Sequence, residues 1–204
     1  IIVLLLTGVF LLSSYFLTYT KEAKINDEHS SEKMAYTNKL LSLPLKTPAN
    51  RINRLNHVEK YGVKEIVFYD DTLVVDKERI HRLCDLMISR KLNIVWGCFS
   101  TVNAMNFELA KKMKEAGCFT IFLGLESGSK RMLKVMNKPY TSPSLARQII
   151  SDVRKAGVQA VGSFIFGVPG ETRDTLRETI QFALDLPLNY AAVLPVVPFP
   201  GSQL

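Results

Sequence analysis

The chain has 204 residues, 47% of them apolar and 22% charged, the composition of an ordinary globular protein long enough for one domain with a full core. Its net charge of +7 is spread out, with 8 basic and 5 acidic residues in positions 1–60 and 18 and 14 in the rest. No basic stripe with interleaved aromatics appears, so charge gives no indication of nucleic acid. Cys84, Cys98 and Cys118, 14 and 20 residues apart, suit a reducing, cytoplasmic compartment better than a disulfide scaffold. His29, His57 and His81 have no ligand-like spacing. The start at Ile1 in place of Met, and the end at Leu204 just after a turn, read as cuts from a longer protein.

Residues 1–57 differ in character from the rest of the chain. Positions 1–20 are almost wholly apolar or hydroxylic, and 21–46 are polar and poorly periodic. Three readings stand: a clipped membrane helix over 1–18, a signal-peptide core, or a buried first strand over 1–6 with a loop from Thr7 onward. The strand reading is preferred, because the βα units after residue 58 need a neighbour on that edge.

From residue 58 the pattern alternates. A β-rich run over 63–69 ends in Asp70-Asp71, and Ile80, Leu83, Cys84 and Met87 then share one helical face. A strand over 92–99 precedes a helix with Met105, Leu109, Met113 and Ala116 in register, closing at Gly117. The strand over 118–125 ends in Glu126-Ser-Gly-Ser129. Ser142-Pro143 reads as N-cap and first helical residue ahead of Leu145, Ile149, Ile150 and Val153, and that helix closes at Gly157. A strand to Phe166 is followed by a helix expected to turn Leu176, Ile180, Ala183 and Leu184 inward. The last strand, over 190–197, ends in Pro198-Phe-Pro-Gly201.

The joints repeat: Gly62, Gly117 and Gly157 each sit where a helix ends in a left-handed residue and a strand begins. Consecutive βα units of this kind predict an α/β fold, a parallel sheet wrapped by helices as a barrel or partial barrel. In such folds ligands bind at the carboxyl ends of the strands. The loop over 162–171 sits at such an end. There Gly162 and Gly167 leave room for a flat ligand against backbone, and Ile165 offers a branched apolar surface. Any βα turn can use Gly and Pro, so the loop gains weight only from the polar clusters that end the other strands.

Taken in order, those clusters resemble the radical S-adenosylmethionine (SAM) enzymes, and most closely the class that often carries a cobalamin-binding domain upstream. The residues carrying the likeness are 63–72, Trp96-Gly-Cys98, 114–118, 124–129, Met136-Asn-Lys138, 162–172 and 198–201. The likeness implies a TIM-like partial (βα)₆ barrel over 58–204, truncated at both ends. It also implies SAM and a [4Fe-4S] cluster at the strand ends, the reduced cluster cleaving SAM to a 5′-deoxyadenosyl radical that abstracts hydrogen from substrate. Cobalamin held by an upstream domain, and a reductant such as flavodoxin or ferredoxin, are implied in the same way. The substrate, a small molecule or peptide, is left open.

By the same resemblance, Asp70 and Asp71 meet the methionine amino group, a carboxylate-to-ammonium contact. Glu126 and Ser127 meet the methionine or ribose end. Ile165, with Gly162 and Gly167, packs on adenine, and Pro198 and Phe199 line the adenine edge. Glu171 orders the turn or caps the following helix. Thr101 stands where relatives often carry Arg, implying a missing charged contact. Plainer readings are a helix-entry turn at Asp70-Asp-Thr72, a helix cap at Ser127 or Ser129, and packing for Trp96, Cys98, Cys84 and Cys118.

One part of the family pattern is missing. Its C-x3-C-x2-C cluster loop should fall near residues 7–16, which contain no cysteine. A degenerate copy, a reading-frame error over the first 20–45 residues, or a cluster loop upstream of Ile1 would each account for this. Cysteine codons at the family spacing in another frame would identify the second. The rival functions are an inactive, cluster-less homologue with only SAM or nucleotide binding or a structural role, and a membrane-anchored (βα) barrel using Glu126-Ser-Gly-Ser129 to bind an anion.

Overall fold

The structure is a computed structural model that describes residues 2–5, 64–69, 73–138 and 140–197. Six strands form one parallel sheet: β1 (Ile2–Leu5), β2 (Glu65–Phe68), β3 (Val95–Thr101), β4 (Cys118–Glu126), β5 (Gln159–Phe166) and β6 (Tyr190–Pro195). Between them run α1 (Lys77–Ser89), α2 (Phe107–Glu115), the short α3 (Lys130–Val135), α4 (Pro143–Lys155) and α5 (Arg173–Asp185). This is the parallel α/β architecture expected.

Helix boundaries follow local chemistry. Asp76, Asn106 and Ser142 each accept the backbone N–H three residues on, at 3.0, 2.8 and 3.3 Å, and Pro143 follows Ser142 in the first turn. Thr172 and Thr175 close a reciprocal capping box on α5. At the end of α2, Gly117 adopts φ +93°, and a Cβ there would stand 2.4 Å from the Ile94 carbonyl oxygen. Only glycine meets both demands at that joint.

The strands β2 to β6 lie side by side in chain order, and β1 lies beyond β6. A strand does form within the stretch 1–6 where one was read from sequence, and its backbone pairs with Tyr190–Val193 of β6. The long stretch between β1 and β2 lets either edge accept it, and β6 offers an open ladder of donors and acceptors.

One face of the sheet is covered by the helices. Trp96, Cys98, Ile121, Leu123 and Ala160 from the strands pack there against Ile80, Cys84, Met87, Leu109, Met113, Ile150 and Val153. Trp96 is fully buried; its indole N–H donates to the Ala116 carbonyl at 2.8 Å, and Phe68 meets it edge-on at 5.5 Å. It and the three cysteines are core, in keeping with the packing reading of these four residues.

Helix α5 is rotated from the expected face. Thr175 and Thr179 are buried, while Ile180 and Leu184 are 49% and 54% exposed. The loop after β4 causes this. A Cβ on Gly128 would come within 2.6 Å of both the Glu178 carbonyl oxygen and the Phe182 Cβ, so backbone meets helix directly there. The helix turns a hydroxyl to the loop's polar groups instead of a leucine.

Candidate active site at the strand carboxyl ends

The face opposite the helices is built in rows fixed by register. Phe99, Phe122, Val161 and Tyr190 form one row across β3 to β6. Phe99 stacks on Phe122 at 4.9 Å and Tyr69 extends the stack at 5.3 Å. One step toward the carboxyl ends the row is Thr101, Gly124, Ser163 and Ala192, all small. Beyond it Ile165 pairs with Leu194, while Glu126, displaced by a slip in register, pairs with Phe164 and turns its carboxylate back toward Gly124. An aromatic floor, a shelf of small side chains and, among the described residues, the Glu126 carboxylate at the rim make up this end of the inner face.

Glu126 is held in an unusual way. The register of β4 against β5 slips between Gly124 and Glu126, and Glu126 takes φ +63°. Ser127 N–H donates to the Leu125 carbonyl at 2.7 Å, closing a three-residue turn around it. A non-glycine residue in this region stores strain, a feature that clusters at ligand sites. Its Oε1 would stand 3.1 Å from a Cβ on Gly124, so the carboxylate folds back over the small-residue shelf.

Lys138 Nζ lies 3.4 Å from that same Oε1. The lysine is delivered by the end of α3, where Asn137 is left-handed (φ +52°) and Lys138 N–H bonds to the Leu133 carbonyl at 2.8 Å. Met136-Asn-Lys138 belonged to the resemblance, but a partner twelve residues back was not legible in it.

Ser127 is buried, its hydroxyl 2.8 Å from Thr179 Oγ1 and accepting Ser129 N–H at 3.1 Å; Gly128 N–H donates to Thr179 Oγ1 at 3.2 Å. The donors an anion nest would use are thus engaged inside the protein, and Glu126 stands at their edge. The anion-nest reading is not favoured for this reason. Among the described residues no helix is long and apolar enough to cross a membrane. The segment 1–18, apart from the β1 backbone, lies outside those residues.

In the loop after β5, Gly167 and Gly170 are left-handed at φ +84° and +85°. The Glu171 carboxylate accepts Gly167 N–H at 2.6 Å and its own N–H donates to the Val168 carbonyl at 2.9 Å, so Glu171 orders the turn as expected. Gly162 behaves otherwise. A Cβ on it would meet Leu188 at 2.7 Å and Leu125 at 2.9 Å, both in the helix-side core. The room Gly162 leaves is filled by those leucines and opens away from the shelf. Of the residues singled out from sequence, Glu126 and Ile165 share the inner face, Ser127 faces α5, and Gly167 is exposed at the turn. Asp70, Asp71, Pro198 and Phe199 lie outside the described residues, at the ends of β2 and β6.

The described residues do not supply a [4Fe-4S] site. Among them no group of three or more His, Cys, Asp or Glu could hold a metal ion. Cys84, Cys98 and Cys118 are free and buried. Burial pushes the Cys84 thiol up to about 12, and burial followed by Cys98 raises Cys118, so both stay protonated where a cluster requires thiolates. Residues 7–16, which contain no cysteine, lie outside the described residues.

Comparison with known proteins gives the geometry a context. A model of the radical SAM superfamily matches residues 26–183. An uncharacterized methyltransferase of Pyrococcus horikoshii is 40% identical over 145 residues, 71% of this chain and 31% of the relative. The anaerobic magnesium-protoporphyrin IX monomethyl ester cyclase of Cereibacter sphaeroides is 29% identical over 151 residues, 72% of this chain and 24% of that one. The chain therefore spans about a third or less of these relatives. Among solved structures, a radical SAM methyltransferase of Kitasatospora setae with cobalamin and a [4Fe-4S] cluster bound superposes with TM-score 0.65 at 15% identity, covering 74% of this chain and 29% of that one. Coproporphyrinogen III oxidase of Escherichia coli superposes with TM-score 0.60 at 12% identity, covering 86% and 39%. At such identities the likeness is one of fold, the partial barrel.

Proposed function

The chain belongs to the radical SAM superfamily, and we propose that its inner face binds SAM across the small-residue shelf, the methionine end toward Glu126 and the adenine toward Ile165. The observation that carries this reading is the Glu126–Lys138 pair, two opposite charges side by side above Gly124. A zwitterionic amino acid presents the complementary pair: its ammonium suits the carboxylate and its carboxylate suits the lysine, each by a charge-assisted hydrogen bond. The backbone strain at Glu126 supports the same reading, since it fixes the carboxylate before any ligand arrives.

Asp70 and Asp71 at the end of β2 complete the ammonium side. Ser127 acts through the turn it anchors. Ile165 and Gly167 form the adenine wall, with Pro198 and Phe199 along its edge. Gly162 contributes by letting Leu125 and Leu188 pack behind β5. The aromatic stack of Tyr69, Phe99 and Phe122 forms an apolar floor beneath the ligand.

In this superfamily a reduced cluster supplies the electron that cleaves SAM; no cluster ligands occur among the described residues, whose share is binding and orientation. The relatives are methyltransferases and a cyclase, and no described inner-face residue chooses between those outcomes. A reductant of the flavodoxin or ferredoxin kind belongs to the whole protein, and the free buried thiols favour a cytoplasmic setting.

The test is calorimetric titration with S-adenosylhomocysteine, which needs no cluster. Glu126→Gln keeps the shape and removes the charge, and should weaken binding by roughly tenfold, about 1.4 kcal/mol. Equal affinity in the two proteins would overturn the assignment.

A further inference from the structure

Helix α3 is six residues long, yet the cations around it fasten two walls of the site. Just past its end Lys138 meets Glu126, on the β4 side. In its first turn the Arg131 guanidinium donates to the Gly170 carbonyl, 39 positions away in the loop after β5. We propose that Arg131 is a positioning residue: it holds the 167–171 turn at the height of the shelf, so that Gly167 and Ile165 present a fixed wall to the adenine ring.

The loop's other restraints leave this job undone. Val168 is buried and anchors one flank, while Glu171 ties the turn to itself through Gly167 N–H. Both glycines in the turn are left-handed and carry no side chain to pack. Among the described residues, the side-chain hydrogen bond joining this turn to the β4 side of the site is the one from Arg131. Both partners are exposed, so the bond adds little to folding. It instead removes freedom from a turn that would otherwise be ordered at the moment of binding, and that ordering cost appears directly in affinity. A guanidinium suits the task, with several donors in a rigid fork that can follow the carbonyl through small displacements.

This role for Arg131 rests on the reading of the inner face as a SAM site, and the experiment separates the two. Full-length wild type, Arg131→Ala and Arg131→Gln are titrated with S-adenosylhomocysteine and with S-inosylhomocysteine, which differ only in the purine, and amide exchange is followed over 167–171. Arg131→Ala should bind S-adenosylhomocysteine about fivefold more weakly and prefer it less over the inosyl compound. It should also lose protection at the turn while its thermal midpoint stays at the wild-type value. Arg131→Gln, which keeps an amide donor, should recover part of each change. Failure of wild type to bind S-adenosylhomocysteine overturns the SAM-site reading. Wild-type binding with unchanged affinity and purine preference in Arg131→Ala overturns the role of Arg131 alone. So does a loss of affinity matched by a general fall in the thermal midpoint.

Discussion

The two faces of the sheet use the same residue types to opposite ends. On the helix side, Gly162 exists because Leu125 and Leu188 already occupy the space a side chain would take. On the inner side, one strand over, Gly124 lies beneath the Glu126 carboxylate, which is held there beside Lys138. Cys98 and Cys118, by contrast, are both packed on the helix side. A glycine thus carries no function by itself in this fold. The face it is turned to assigns one.

If the helix side is for stability and the inner rim for binding, substitutions on the two should separate. The largest effect belongs to the helix side. Met113→Ala, at a fully buried position between α2 and the sheet, should cost about 2–5 kcal/mol in chemical denaturation. Its effect on S-adenosylhomocysteine affinity at a temperature where it remains folded should be slight. Thr179→Val comes next, since it strips partners from Ser127 and from Gly128 N–H, at about 1–3 kcal/mol. Because that loop carries Glu126, this variant should also lose affinity, and one that lost only stability would sever the link between α5 and the site.

Gly124→Ala should reverse the balance. The added methyl would come within 3.1 Å of the Glu126 carboxylate and push it off the shelf. Affinity should fall a few-fold with little change in the denaturation midpoint. The last contrast is one of pH. Burial raises the Cys84 thiol from an ordinary 9.0 to about 12, so the unfolded chain gives up that proton first. Its contribution to stability is complete below pH 9 and is lost as pH rises toward 12. The thermal midpoint of wild type should therefore fall more steeply across that window than that of Cys84→Ala.

Much of the fold could be read from periodicity. Helix starts at Ser142-Pro143, left-handed glycines at 117 and 157, and strands beginning at Cys118 and Tyr190 all follow from local chemistry. The facing of α5 could not be read that way. Leu176, Ile180 and Leu184 make a better apolar stripe than Thr175 and Thr179, and only the close approach of Gly128 explains why the hydroxyls won. The edge taken by β1 was likewise a matter of long-range pairing.

The site divides in the same way. Glu126 and Ile165 were visible as polar and apolar residues at strand ends. The pairings of Lys138 and Arg131 were not, because their partners stand 12 and 39 positions away. Gly162 was misleading in its apparent purpose, since period-two alternation turns it to the helices while Ile165, three residues on, faces the shelf.

The most direct test of the SAM site is a crystal structure of the wild-type protein with S-adenosylhomocysteine bound. The ammonium should lie within hydrogen-bond reach of Glu126, the carboxylate beside Lys138, and the purine against Ile165 and Gly167. Ligand density on another surface, or on the shelf with the purine at the Glu126 end, would contradict the assignment.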